Sequence, residues 1–216
     1  MDAEIEQWLL AQGGLASTQQ LSALGVDRRC VNRWVTQRLV RRRGKGVVVI
    51  EAVWQAAMAS ERHRLRAQAA LLTPWNGSVA LSHQSSLAMA RLPLFGVDQR
   101  VHLMRLDKTR HKSTRELAYH QVVDPAWLVP CGLPFRVRDA LAALQVADAF
   151  GVEAGLVAAD AIAHAGVGSA VFAEALSAGR FARGLARPQC VVEMVDWPEW
   201  TSSSGLSARS LNLMAE

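Results

Sequence analysis

Residues 17–50 constrain the fold more than any other part of the chain, because helix, turn and strand signals follow one another there in a fixed order. Asp27 is a good helix N-cap, since its carboxylate can accept hydrogen bonds from the free N–H groups of a first turn. An apolar stripe at helical spacing follows it, formed by Val31, Trp34, Val35 and Leu39. The pattern predicts a helix over residues 27–40. A turn at Gly25 joins it to a shorter predicted helix over residues 18–23.

The opposite side of the predicted helix over residues 27–40 is polar. It carries side chains that can reach phosphates and base edges, namely Arg28, Arg29, Asn32, Arg33, Thr36 and Gln37. Arginine pairs well with guanine O6 and N7, and asparagine or glutamine with adenine N6 and N7. A glycine-punctuated basic segment comes next, with Arg41, Arg42, Arg43 and Lys45. We predict that these residues bind DNA together with Ser17 and Thr18, which begin the preceding helix.

The β-branched run at residues 47–50 predicts a strand, and the basic segment before it predicts a turn. A first amphipathic helix over residues 2–12 ends at Gly13 and Gly14. Three short helices followed by a hairpin is the order of a winged helix-turn-helix domain, which we assign to residues 1–51. A connecting helix is predicted for residues 52–73.

The sequence pattern of residues 74–216 predicts a mixed α/β domain. Together with the predicted N-terminal winged helix, this gives the whole chain an expected fold class of α+β. A strand is expected at residues 78–81, followed by a helix at 84–91 that Ser82 caps. Ala-rich helices are expected at 138–150, 152–165, 169–178 and 185–195, and a last helix at 204–216.

The charge of the chain is unevenly distributed. Residues 1–112 carry 17 Lys or Arg against 8 Asp or Glu, whereas residues 113–216 carry 7 against 11. The overall net charge of +5 therefore conceals a basic first half and a mildly acidic second half. This asymmetry indicates that the first half faces a polyanion.

A second basic loop lies between strands expected at residues 100–106 and 117–123. It contains Arg105, Lys108, Arg110, His111, Lys112 and Arg115. The two strands are expected either as a hairpin or as neighbours in one sheet. The loop is then either an exposed tip or a second DNA contact.

The sequence offers little that indicates enzyme chemistry. The three cysteines lie far apart, and the six histidines form no HxH or HxxxH pair, so we predict reduced thiols and no metal site. Adjacent Ser82 and His83 cannot easily serve one reacting atom as nucleophile and base. We expect no catalytic residue and no cofactor. Without a signal peptide or a membrane span, the expected location is the cytoplasm.

Four segments resemble the AbiEi-type antitoxins of type IV toxin–antitoxin systems, in particular their actinobacterial branch. They are Gly14-Leu15-Ala16-Ser17, then Arg38-Leu39-Val40-Arg41-Arg42 leading to Gly46-Val47, then Leu81-Ser82-His83-Gln84-Ser85-Ser86 ending at Leu92-Pro93, and Arg136-Val137-Arg138-Asp139-Ala140. The last segment continues beyond Ala140, and together the four cover roughly residues 13 to 180 in the family's order.

The resemblance implies a winged-helix reader of double-stranded DNA that represses its own operon by binding inverted repeats, for which a homodimer is one arrangement. It also implies a nucleotidyltransferase-like toxin as functional partner, generally without a stable complex. Two other interpretations stay open. One is a phage-type repressor that uses both domains on DNA. The other is a protein-interaction module that neutralises a toxin directly.

Overall fold

The chain is a mixed α+β protein, seen in a computed structural model that describes residues 1–73, 79–107, 112–131 and 135–198. Its first part contains α1 (Ala3–Ala11), β1 (Leu15–Ser17), α2 (Thr18–Ala23), α3 (Arg28–Thr36), β2 (Val40–Arg42), β3 (Val47–Ile50), α4 (Glu51–Ala56) and α5 (Ala59–Leu71). The rest contains β4 (Val79–Leu81), α6 (His83–Met89), β5 (Val101–Arg105), β6 (Leu117–His120), β7 (Leu128–Pro130), β8 (Phe135–Val137), α7 (Asp139–Phe150), α8 (Val152–His164), α9 (Ser169–Ala178) and α10 (Ala186–Met194).

The N-terminal part is built on an antiparallel sheet of three strands in the order β1-β3-β2. The central strand β3 is buried on both faces, because its residues alternate between two apolar clusters. Val48 and Ile50 pack with Leu9, Leu21 and other residues of the α1–α3 side. Val47 and Val49 pack on the other side with Trp54 and with Leu65 of α5.

Helix α3 begins as predicted and ends earlier than predicted. The Asp27 carboxylate caps it by accepting from the Cys30 N–H at 2.6 Å. The helix ends at Thr36, and Arg38 then adopts a left-handed backbone with φ of 56°. The predicted extension to residue 40 is wrong, because Val40 pairs with Ile50 in the sheet. Leu39 consequently leaves the apolar stripe and is 36% exposed.

The connecting segment is two helices, not the single helix predicted for residues 52–73. Ala57 and Met58 have extended backbone and separate α4 from α5. Helix α5 touches both parts of the molecule, because Leu65 belongs to the cluster under β3 while Ala67 packs with Leu81 and Leu103 of the second sheet. The basic N-terminal part is therefore packed onto the remainder of the chain.

The second sheet has five strands in the order β6-β5-β4-β8-β7. Strands β5 and β6 are parallel neighbours, so they do not form a hairpin. Strands β7 and β8 were not predicted. Each has three residues, too few to show a two-residue alternation in the sequence.

Helix α7 is the centre of the larger core, and its residues 140–148 are all buried. Helix α8 packs closely on it at Gly155, where an added Cβ would lie 2.5 Å from the Ala147 Cβ. The four predicted Ala-rich helices agree with α7 to α10 to within one residue at each end. The helix predicted at residues 204–216 lies outside the described residues. In the described part of the chain, no helix has the length and apolarity needed to cross a bilayer.

Candidate nucleic-acid interface and a buried histidine cluster

The polar side of α3 forms an exposed basic surface. All six residues predicted for it are exposed, and they are Arg28, Arg29, Asn32, Arg33, Thr36 and Gln37. The other side of the helix is fixed by Val31 and Trp34, which are 2% and 6% exposed in the N-terminal core. Because the helix is held by its apolar side on a small sheet, its polar side faces outward.

A side chain of strand β2 contacts the polar side of α3 at Asn32. Arg42 Nη2 donates a hydrogen bond to Asn32 Oδ1 at 2.6 Å, and both side chains are exposed. The contact occupies the amide oxygen of Asn32 and leaves its NH₂ group as the part available to an acceptor. Arg42 therefore belongs to the same surface as α3.

Arg41 and Arg43 lie on the other face of the hairpin, as the alternation of side chains along a strand requires. Arg41 makes a two-pronged ion pair with Glu51, in which Nε lies 2.6 Å from Oε2 and Nη2 contacts Oε1. This hydrogen bonding raises the pKa of Arg41 and lowers that of Glu51. The Arg41 guanidinium is thus occupied by its contact with Glu51 inside the protein.

Arg43 stacks on the ring of Trp54, with its guanidinium carbon 3.6 Å from the ring centroid. Three more arginines surround the same ring at 5.3 to 5.7 Å, namely Arg41, Arg62 and Arg66. Burial, followed by repulsion from Arg41 and Arg66, lowers the pKa of Arg43. The charge run predicts that Arg43 faces DNA with its neighbours, whereas the fold directs it toward Trp54 and α5.

Ser17, Thr18 and Lys45 lie around the turn of the hairpin. Ser17 makes a capping box at α2, because its Oγ accepts from the Gln20 N–H at 3.1 Å while Gln20 Oε1 accepts from the Ser17 N–H at 2.8 Å. The Thr18 N–H donates to the Gly46 carbonyl at 2.7 Å. Lys45 is exposed between Gly44 and Gly46, both of which have positive φ.

The second basic loop is described only in part. Arg105 pairs with Asp107 through its Nε at 3.1 Å from Oδ1. Lys112 and Arg115 are exposed. Lys108, Arg110 and His111 lie outside the described residues, so the loop's predicted second DNA contact stays a prediction.

A feature that sequence spacing did not indicate lies in the second sheet. His83, His102 and His120 each offer a ring nitrogen, and these atoms all lie within 4.8 Å of one another. The absence of an HxH or HxxxH pair in the sequence therefore does not keep these histidines apart in the fold. His102 on β5 and His120 on β6 point to the same face, because the parallel register pairs His102 with Ala118, two residues before His120. His83 joins them from the start of α6, where the Ser82 N–H donates to the His102 carbonyl at 3.0 Å.

The rings of the cluster are in direct contact. His102 Nδ1 lies 2.9 Å from His120 Nε2, which requires one of these nitrogens to donate and the other to accept. The His83 and His120 rings stack with centroids 3.7 Å apart. His83 also has a left-handed backbone with φ of 49°, an unusual conformation for a residue other than glycine.

Burial keeps these imidazoles neutral. It lowers the pKa of His102 to about 3 and that of His120 to about 4, with further lowering from neighbouring positive charge. Burial also lowers the pKa of His83 well below its ordinary value. At neutral pH each ring therefore keeps one unprotonated nitrogen.

A further histidine next to the cluster, His63, is fully buried, and both of its ring nitrogens are hydrogen-bonded. Its Nδ1 donates to the Asp98 carbonyl at 2.9 Å, so its Nε2 accepts from Ser85 Oγ at 2.9 Å. Ser85 Oγ in turn accepts from the His102 N–H at 2.8 Å. His63 therefore helps to position His102 and has no nitrogen left for another ligand.

Ser82 does not cap α6 with its side chain, contrary to prediction. It occupies the N-cap position, but its Oγ lies 3.1 Å from His83 Nδ1. Adjacent serine and histidine side chains thus do meet. Ser82 is fully buried, however, so its hydroxyl is not accessible to a substrate.

No protein-family model matches the chain, and no curated protein matches its sequence.

Proposed function

We propose that residues 1–51 form a winged helix-turn-helix domain that binds double-stranded DNA, and that the protein is a sequence-specific transcriptional repressor. The observation that carries the proposal is the exposed row on α3, in which Arg28, Arg29 and Arg33 flank Asn32 on a helix anchored by its opposite side. Here Arg42 of β2 holds Asn32 from the side.

The arrangement of elements supports this proposal. The order helix, strand, helix, helix, strand, strand, with the sheet order β1-β3-β2, is compatible with a winged helix. Helices α2 and α3 are joined by a short turn at Gly25, which has φ of 79°. In such a motif the second helix of the pair enters the major groove.

Each side chain then has a distinct part in binding. Arg28, Arg33 and Lys45 contact phosphates and release counterions, which supplies affinity that falls steeply with salt. Asn32, with its NH₂ group available, and Gln37 contact base edges in the groove. Arg41 and Arg43 act indirectly, since their contacts with Glu51 and Trp54 hold the hairpin in place.

The biological setting that we propose is autoregulation by an AbiEi-like type IV antitoxin. This part of the proposal is supported by the four segments that resemble AbiEi-type antitoxins. It implies a nucleotidyltransferase-like toxin whose action the protein counters. In this proposal the part after α5 supplies toxin neutralisation, dimer contacts or both.

Selection of duplexes from a random DNA pool by the full-length protein tests the proposal. We expect enrichment of an inverted repeat that also occurs upstream of the protein's own coding sequence. The Arg28→Ala, Arg33→Ala double variant should bind the enriched duplex more weakly, because it lacks two phosphate contacts, whereas Arg180→Ala, which removes an exposed arginine from another part of the chain, should bind it as before. Failure to enrich any sequence, or an unchanged affinity of the double variant for the enriched duplex, would contradict DNA binding by α3.

A further inference from the structure

We propose that His83, His102 and His120 form a binding site for a divalent transition-metal ion, with Zn²⁺ as the preferred ion. Three neutral imidazoles with converging nitrogens are the ligand set of an open tetrahedral zinc site, in which the fourth position is taken by water. The site is separate from the basic surface of α3 and does not rest on the proposed DNA binding.

The spacing of the nitrogens suits a metal ion after a small adjustment. Zinc–nitrogen bonds are about 2.0–2.1 Å long, which places the ligand nitrogens of a tetrahedral site about 3.4 Å apart. The 2.9 Å separation of His102 Nδ1 and His120 Nε2 must widen slightly, because a metal ion replaces the proton that now lies between them. His83 must also turn out of its stack on His120, where the two ring planes meet at 28°.

The surroundings of His102 are those of a metal ligand. Its outer nitrogen, Nε2, is buried and makes no hydrogen bond, while Asp98 Oδ2 lies only 3.3 Å away. Metal-bound histidines commonly donate their other N–H to a carboxylate, which fixes the tautomer and the ring orientation. A slight rotation of the His102 ring toward Asp98 would complete that bond and direct Nδ1 at the metal.

The backbone at the site is preorganised around these rings. His83 has a left-handed backbone, and its N–H donates to the side chain of buried Gln145 at 3.2 Å. Such strain at a residue other than glycine persists only where neighbouring structure enforces it, and it is concentrated at functional sites. The hydrogen bond to Gln145 therefore helps to fix the backbone from which the His83 ring reaches the two histidines of the sheet.

A metal titration of the full-length protein, first freed of metal by a chelator, tests the proposal. We expect one equivalent of Zn²⁺ to bind at micromolar concentration or below, as measured by calorimetry. His120→Ala should weaken binding at least about 100-fold, and Asp98→Asn about 10- to 100-fold, as for a positioning residue. His164→Ala removes an exposed histidine of α8 and should leave binding unchanged. Circular dichroism of each variant establishes that it is folded.

Addition of Co²⁺ to the unsubstituted protein gives a second readout that needs no variant. We expect the strong visible absorption of four-coordinate Co²⁺, abolished by one equivalent of Zn²⁺. Weak absorption typical of six-coordinate Co²⁺, no binding of Zn²⁺ at micromolar concentration, or equal binding by folded His120→Ala would overturn the proposal.

Discussion

Arg42 on β2 donates a hydrogen bond to Asn32 on α3 across 2.6 Å, and this contact joins the hairpin to the exposed surface of the helix. The guanidinium fixes which end of the Asn32 amide is presented outward. In a DNA-binding helix, such a restraint lowers the number of base edges that the asparagine can satisfy.

Arg42→Ala should therefore reduce discrimination between DNA sequences more than it reduces affinity for DNA in general. We expect the ratio of specific to non-specific affinity to fall about tenfold, equivalent to about 1.4 kcal/mol. Competition binding with the selected duplex and a shuffled duplex measures this ratio. Arg180→Ala, which removes the same charge elsewhere, is the matched control, and an unchanged ratio for Arg42→Ala would show that the contact has no part in specificity.

Glu51→Gln should destabilise the protein by about 1 kcal/mol at neutral pH. Glutamine keeps the shape of the side chain that pairs with Arg41 but removes its negative charge. The Arg41 hydrogen bonds lower the pKa of Glu51 from its ordinary value of 4.5. The stabilisation is thus fully present above pH 4.5 and disappears as the pH falls through the lowered value. Urea unfolding of both proteins at pH 7 and pH 3 checks this, and an equal difference at the two pH values would exclude the ion pair as its cause.

Gly155→Ala should destabilise the larger core, although alanine is the better helix former. The new methyl group would lie 2.5 Å from the Ala147 Cβ and 3.0 Å from the Ala143 carbonyl oxygen, so α7 and α8 must separate. We expect a loss of about 1–3 kcal/mol in the free energy of unfolding. Gly168→Ala, at a position with no atom within 4 Å of an added Cβ, serves as the comparison in thermal unfolding and should lose less.

Ser86→Ala should also be destabilising, because the Ser86 hydroxyl donates to the Val137 carbonyl at 2.5 Å where both residues are fully buried. Removing a buried donor costs about 1–3 kcal/mol. Ser177 makes a similar hydroxyl-to-carbonyl bond with Ala173 at 3.0 Å on an exposed part of α9. Ser177→Ala should therefore have almost no effect in the same denaturation assay, and equal effects of the two substitutions would contradict the importance of burial.

Local signals made part of the fold predictable. Asp27 caps α3 through a bond to a residue three positions later, so its effect is visible in the sequence alone. The prediction that Leu39 belongs to the helix is wrong because a distant contact overrides the local pattern. Its position continues the helical spacing, but pairing of Val40 with distant Ile50 ends the helix before it.

The histidine cluster could not be predicted, because it depends on strand register. His102 and His120 meet only because β5 and β6 are parallel and paired in one specific register, and no short-range pattern encodes that choice. The direction of Arg43 was missed for a related reason. A run of three arginines gives the charge of a hairpin, but only its placement between α3 and Trp54 determines which side chains face outward.

The salt dependence of DNA binding tests the central claim, that α3 binds DNA through its exposed arginines, most directly. The affinity of the full-length protein for the selected duplex should fall linearly with salt on logarithmic axes. The Arg28→Ala, Arg33→Ala double variant should show a slope shallower by about 1.8, since each lost phosphate contact removes about 0.9. An affinity that does not change with salt, or a double variant whose slope equals that of the unsubstituted protein, would contradict the claim.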